Sequence, residues 1–161
     1  MVELKTIEIK IPEGLNMILG QSHFIKTVED IYETLIESSI AIKFGVAFSE
    51  ASGPCLIRFT GNDEKLETLA KEISLKIGAG HSFVIFLEKA FPVGILKRIQ
   101  AVSEVVSTFC ATSNPIQVIV AETTQGRGIL GVIDGFGPKG IENQEQIQER
   151  RKFLRKIGYK Q

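Results

Sequence analysis

Between Ala101 and Gly137 the chain carries four charged side chains, Glu104, Glu122, Arg127 and Asp134, and three of them lie in or beside the run A-E-T-T-Q-G-R-G-I-L-G-V-I-D-G at Ala121 to Gly135. Burying an unpaired charge costs several kcal/mol, so charges kept in apolar surroundings are paired or in use. Gly126 and Gly128 flank Arg127, which lets backbone N–H groups approach a ligand while the guanidinium forks onto an anion such as phosphate or carboxylate; the competing reading is a hairpin turn with a surface arginine. Asp134, at a strand end, has the chemistry of a general base or a magnesium ligand, and equally of a turn residue. Glu50, in S-E-A-S-G-P, carries the same two readings. Lys43 shares a strand face with Gly45 and Ala47, small neighbours that leave either room for a ligand or a face turned to solvent.

The second candidate stretch is Gly78-Ala79-Gly80-His81. Gly80 frees the backbone beside an imidazole that is nucleophilic near neutral pH, although a lone histidine at a helix-to-strand junction is more often packed or capping. His23, ahead of the first helix, is similarly ambiguous. Two histidines so placed do not make a metal site. The chain has no G-x-x-x-x-G-K-[ST], no G-x-G-x-x-G opening a helix and no protein-kinase catalytic set.

These residues must be positioned by the periodic segments around them. Alternation predicts strands at Val2–Ile11, Ala41–Phe48, Cys55–Phe59, Val105–Ala111, Ile116–Ala121 and Gly128–Ile133, while the continuously apolar Ser82–Leu87 predicts a central strand covered on both faces. Pro12-Glu13-Gly14 closes the first strand, and Asn16, Gly20 and Gln21 read as loop. Helical stripes appear at Phe24, Val28, Ile31 and Leu35, at Leu66 to Ile77 with Gly61-Asn62-Asp63 as cap and Gly78 as terminator, after Pro92, and from Asn143 to Ile157. The last helix is acidic at its start and basic at its end, and its basic cluster reads as a solvated face. Short connections before Cys55 and Gly128 exclude a purely parallel winding, since parallel crossovers need a dozen or more residues. The expected architecture is a single α/β domain over residues 1–161, a mixed β-sheet with helices packed on it in three α/β/α layers. Its apolar strands outnumber the helices available to cover them, so a homo-oligomer is expected.

Lysine plus arginine and aspartate plus glutamate both number 19, which gives no overall field for nucleic acid. Cys55 and Cys110 sit in apolar runs without metal spacing, as expected of buried thiols in a reducing compartment. The alternating N-terminus is neither a signal peptide nor a membrane span, and a cytoplasmic location is expected.

Four runs together carry a more specific resemblance: K-F-G-V-A-F-S-E-A-S-G-P-C-L-I-R at Lys43 to Arg58, I-G-A-G-H at Ile77 to His81, F-C-A-T-S-N-P at Phe109 to Pro115, and V-I-V-A-E-T-T-Q-G-R-G-I-L-G-V-I-D-G at Val118 to Gly135. They resemble the small archaeal and bacterial family called adenosine-specific kinase. The resemblance implies a compact α/β protein that binds adenosine or AMP and moves a phosphoryl group, or one that senses these ligands without turnover. Given that implication, Arg127 with the Gly126 and Gly128 backbone would hold phosphate. Glu50 or Asp134 would bind ribose hydroxyls or act as base, and His81 would be a phosphate contact or a transient phosphoacceptor. Phe48 and Phe109 are candidates to flank adenine, with core packing the plainer role for each. Phosphoryl transfer usually takes Mg²⁺ and requires no dedicated metal cage; the donor is left open.

Overall fold

Phe83, Val84, Ile85, Phe86 and Leu87 are all completely buried, and an apolar run buried on alternate sides must lie between two layers. In the computed structural model, which describes residues 1–161, this strand, Ser82–Glu88 (β5), is the middle of a five-stranded sheet. Lys43–Ser49 (β3) and then Ile57–Gly61 (β4) lie on one side of it, with Leu15–Ser22 (β2) and then Val105–Thr112 (β6) on the other. A second sheet has the order Glu3–Ile9 (β1), Ile116–Glu122 (β7), Arg127–Asp134 (β8). The single α/β domain with helices packed on a sheet agrees with the sequence reading. The strands, however, divide between two sheets in which every pairing is antiparallel, where one mixed sheet was expected.

Each face of the large sheet has its own core. On one, Phe44, Val46, Phe48, Phe83 and Ile85 pack with Val28, Ile31 and Leu35 of Thr27–Ile36 (α1) and Ile99 of Leu96–Gln100 (α3). On the other, Met17, Leu19, Ala47, Val84 and Phe86 meet Leu66, Ala70 and Ile77 of Glu64–Ile77 (α2), together with Ile9, Ile116, Val118 and Val120 of the small sheet. The outer layer on this second face is therefore half helix and half sheet.

The ends of α2 are set as the sequence predicts. Asp63, in extended backbone, accepts from the Lys65 and Leu66 amides, and Gly78 closes the helix at φ 63°, a conformation that costs glycine nothing. Helix Gln144–Lys156 (α4) starts with a reciprocal Asn143/Gln146 capping box but has no buried residue.

Three readings are corrected. Asn16 to Gln21, taken as loop, lies in β2, between β5 and β6. Asn16, Gly20 and Gln21 interrupt its short apolar run, yet Met17, Ile18 and Leu19 are fully buried, because a strand covered on both faces shows no alternation. The face carrying Gly45 and Ala47 is not turned to solvent, since α2 lies on it and a Cβ at Gly45 would sit 2.2 Å from the Leu66 carbonyl carbon. Cys55 is exposed rather than buried, and only Cys110 is partly sheltered. Burial, reinforced by the Asp134 charge, pushes the Cys110 thiol up to about 12.

Gly45→Ala is expected to overpack the β3–α2 contact and lower stability by about 1–3 kcal/mol, read as the shift in urea midpoint. An unchanged midpoint would mean that α2 does not lie as close to β3 as described.

Candidate functional site

The antiparallel registers bring the end of β2, the end of β3 and the start of β5 to one edge of the large sheet, where Ser22, Ser49 and Ser82 lie. The Glu122–Arg127 end of the β7–β8 hairpin reaches the same edge through a parallel bridge between Ala79 and Arg127. Buried hydroxyls fix this corner. Ser49 and Ser74 share a 3.0 Å hydrogen bond, and Ser82 donates to the Ala79 carbonyl at 2.7 Å.

A cleft of about 640 Å³ opens here, lined among others by Glu50, Cys55, Gly80, Gln125, Gly126 and Arg127. A second chamber of about 270 Å³ shares Gly80 and Gly128 with it and is walled by Gln21, Ser82, Phe109 and Ile129. The mouth is polar and charged, whereas the inner chamber contains no ionisable side chain.

Arg127 is already heavily engaged. Its Nε pairs with Glu122, and Nη1 donates to the Lys76 and Ile77 carbonyls, each at 3.2 Å. These are unpaired carbonyls at the C-terminus of α2, where a cation also complements the helix dipole. Only the Nη2 amino group makes no hydrogen bond to the chain. Glu122 binds Lys5 as well, and Lys5, followed by Arg127, holds the Glu122 carboxyl below the usual carboxylate range.

Glu50 is likewise anchored. Its Oε2 accepts from the Leu56 amide at 3.0 Å, and both oxygens lie 3.1 Å from Arg58 Nη2. The Leu56 N–H and then the Arg58 guanidinium keep its carboxyl below the ordinary value. Such a carboxylate is a weak proton acceptor but a firm hydrogen-bond acceptor, with lone pairs to spare for a hydroxyl.

His81 occupies the left-handed region at φ 61°. Its amide donates to the Ser49 carbonyl at 2.7 Å, and its carbonyl accepts from the Ser22 amide at 2.9 Å. The half-buried ring stacks on Phe48, with centroids 5.8 Å apart and an interplanar angle of 26°. Neither ring nitrogen is hydrogen-bonded to the chain. Cys55 is also left-handed, at φ 51°. Two non-glycine residues in this region, each costing of the order of 1 kcal/mol, lie beside one opening, the pattern expected where backbone geometry serves a site.

The remaining sequence candidates lie elsewhere. Lys43, at the other end of β3, pairs with Asp63 at 3.4 Å. Asp134, at the far end of β8 from Arg127, accepts from Thr112 Oγ1 at 2.7 Å and Asn114 Nδ2 at 3.1 Å. Within one chain, then, Glu50, Arg127, Gly126 and Gly128 share a cleft; His81 adjoins it in the chain through Gly80 but its ring lies on Phe48 outside the lining, and Asp134 and Lys43 do not join them. Phe48 is a core residue, 1% exposed, whereas Phe109 does wall the inner chamber. Sequence reasoning missed Gln21 and Cys55 as cleft residues. Gln21 follows Met17 and Leu19 at every second position, so it shares their face, a placement that follows only once the segment is known to be a strand.

No group of three or more His, Cys, Asp or Glu side chains is placed to hold a metal ion. No helix is long and apolar enough to cross a membrane.

The family model described as adenosine specific kinase matches residues 7–160. The crystal structure of PH1918 protein from Pyrococcus horikoshii OT3 is similar over 100% of this chain and 99% of its own, with 47% identity and a TM-score of 0.96. No curated protein matches the chain.

The Glu122 pairing has a testable pH signature. Its folded pKa is lowered from 4.5, so its stabilisation is complete above that unfolded value and is lost as pH falls through the folded one. Urea midpoints between pH 6 and pH 3 should therefore fall less steeply for Glu122→Gln than for the wild type. Parallel slopes would mean that the Lys5–Glu122–Arg127 cluster contributes nothing to acid sensitivity.

Proposed function

The chain belongs to the adenosine-specific kinase family, and from that premise we propose that it binds adenosine and AMP in the two-chambered cleft and transfers a phosphoryl group to the adenosine 5′-hydroxyl. The observation that carries this reading is the join, at Gly80 and Gly128, of an uncharged inner chamber to a mouth bearing Arg127 and Glu50. A neutral base suits the first and a phosphate the second.

In this reading the free Nη2 of Arg127 and the Gly126–Gly128 backbone meet phosphate oxygens, and Glu50 accepts from ribose hydroxyls. Positioning and charge neutralisation are most of what phosphoryl transfer asks of a protein. An unprotonated His81 nitrogen attacks the donor phosphorus. The N–P bond forms as the donor's P–O bond breaks, and the donor departs with that electron pair. The adenosine 5′-oxygen then attacks the same phosphorus, the N–P bond returns its electrons to the imidazole, and the hydroxyl proton is released to solvent. Mg²⁺ would supply charge neutralisation of the phosphates. With Glu50 engaged by Arg58 and no three-ligand cluster nearby, its ligands would come chiefly from the phosphates and water.

One observation favours a second reading, a binding or sensing module without turnover: most of the hydrogen-bonding capacity of Arg127 and Glu50 is already committed. His81 separates the two readings. In an assay with labelled phosphoryl donors, His81→Asn is expected to retain adenosine binding while transfer falls by at least a thousandfold, since removing a covalent nucleophile abolishes that route. Full turnover in that variant would reduce His81 to a structural residue. Adenosine binding by the wild type without transfer from any donor would establish the sensing module.

The reading places a small-molecule enzyme in the cytoplasm and makes it a homo-oligomer. Support for association comes from α4, which lacks buried residues, and from Leu4, Leu130, Ile133 and Phe136, between 51% and 85% exposed on or beside the small sheet. Such apolar exposure is uncommon on a monomer. Sedimentation equilibrium at micromolar concentration should give a multiple of the 17.8 kDa chain mass, and a monomer mass would refute association.

A further inference from the structure

We propose that Gln21 is the residue that selects adenine, its carboxamide pairing with the base inside the inner chamber; this rests on the adenosine-binding reading above and names the part of the site that reads the base. On β2, Met17, Leu19 and Gln21 point to the same side, toward the space between the two sheets. The first two are fully buried in that core, and Gln21 is exposed at its open end. It lines the inner chamber with Phe109 and Ile129, and its carboxamide makes no hydrogen bond to the rest of the chain.

The chamber's size and chemistry fit a nucleobase. At about 270 Å³ it lies just below the range of pockets for drug-sized ligands, so it suits one bicyclic ring system rather than a whole nucleotide. Apart from Gln21 and Ser82, whose hydroxyl donates to the Ala79 carbonyl, its walls are apolar or glycine, and nothing lies within 4 Å of where a Gly128 Cβ would stand, so the floor is open to a flat ligand. Gln21 is the one side chain lining it that offers both a carbonyl acceptor and an amide donor, held a fixed distance apart. Adenine carries the complementary pair, the N6 amino donor beside the N7 acceptor, and a carboxamide binds that pair bidentately. Hypoxanthine and guanine present two acceptors there, and a base without N7 loses half of the pair. With the base thus held, the sugar passes Gly80 and Gly128 into the mouth, toward Glu50, His81 and Arg127.

The test is calorimetric titration of the full chain with adenosine, inosine and 7-deazaadenosine, in the wild type, Gln21→Leu and Gln21→Glu. Wild type should bind adenosine roughly ten- to a hundredfold more tightly than either analogue, the range for a good bidentate base contact. Gln21→Leu should lose that factor for adenosine and bind all three ligands alike. Gln21→Glu, which keeps the acceptor and loses the donor, should also lose the preference for adenosine over 7-deazaadenosine. Thermal midpoints close to the wild type would show that the variants are folded; if Gln21→Leu unfolds, Gln21→Glu alone decides. Selectivity over either analogue that persists in folded Gln21→Leu, or selectivity over 7-deazaadenosine that persists in folded Gln21→Glu, overturns this assignment and leaves the functional reading standing. A wild type that binds no adenosine overturns that reading, and this inference with it.

Discussion

Arg127 holds the protein's two sheets at a fixed relation before any ligand arrives. One guanidinium nitrogen meets Glu122 across the hairpin, another caps the Lys76 and Ile77 carbonyls, and the backbone bridges to Ala79. Hydrogen bonds to charged groups contribute more than neutral ones, and here three of them converge on one side chain. It ties the end of α2, the start of β8 and the glycine corner before His81 into one unit. The width of the cleft follows from that unit, and a ligand phosphate would meet a guanidinium already oriented, with little ordering left to pay for on binding.

The same junction explains why strained backbone survives here. His81 sits in the left-handed region, but its amide and carbonyl are both taken up by strand neighbours, Ser49 and Ser22. Behind them the Ser49–Ser74 hydroxyl pair and the Ser82–Ala79 bond satisfy two of the corner's buried hydroxyl sites, while the Ser22 hydroxyl is buried without a partner. The imidazole is thus fixed through its backbone and its stack on Phe48, while both ring nitrogens stay uncommitted. That is a useful state for a nucleophile or a phosphate contact and an odd one for a packing residue.

How much was legible in the sequence differs from element to element. β5 could be placed at the centre because five consecutive apolar residues admit few other locations, and α2 could be bounded because Asp63 and Gly78 act through local geometry alone. β2 could not, because Gly20 exists for a contact far away in sequence: a Cβ there would fall 2.3 Å from the Phe83 ring. Division into two sheets was hidden for the same reason, since strand alternation reports a buried face without saying what buries it. At the site, Arg127 stood out as a charge in an apolar stretch and Glu50 as an acid at a strand end, and the structure brings them to one cleft. Asp134 stood out equally but is held by Thr112 and Asn114 at the other end of β8. Its carboxylate is hydrogen-bonded by neutral side chains away from that cleft, and composition cannot distinguish the two placements.

The central claim is that one continuous cleft at the strand ends holds base, sugar and phosphate in that order from inside to mouth. The most direct measurement is a crystal structure of the full chain with AMP. The account predicts adenine between Gln21 and Phe109, the ribose passing Gly80 and Gly128, and phosphate oxygens within hydrogen-bond distance of Arg127 Nη2. AMP bound with its base at the mouth, or at the Lys43 or Asp134 end of the sheets, would contradict it.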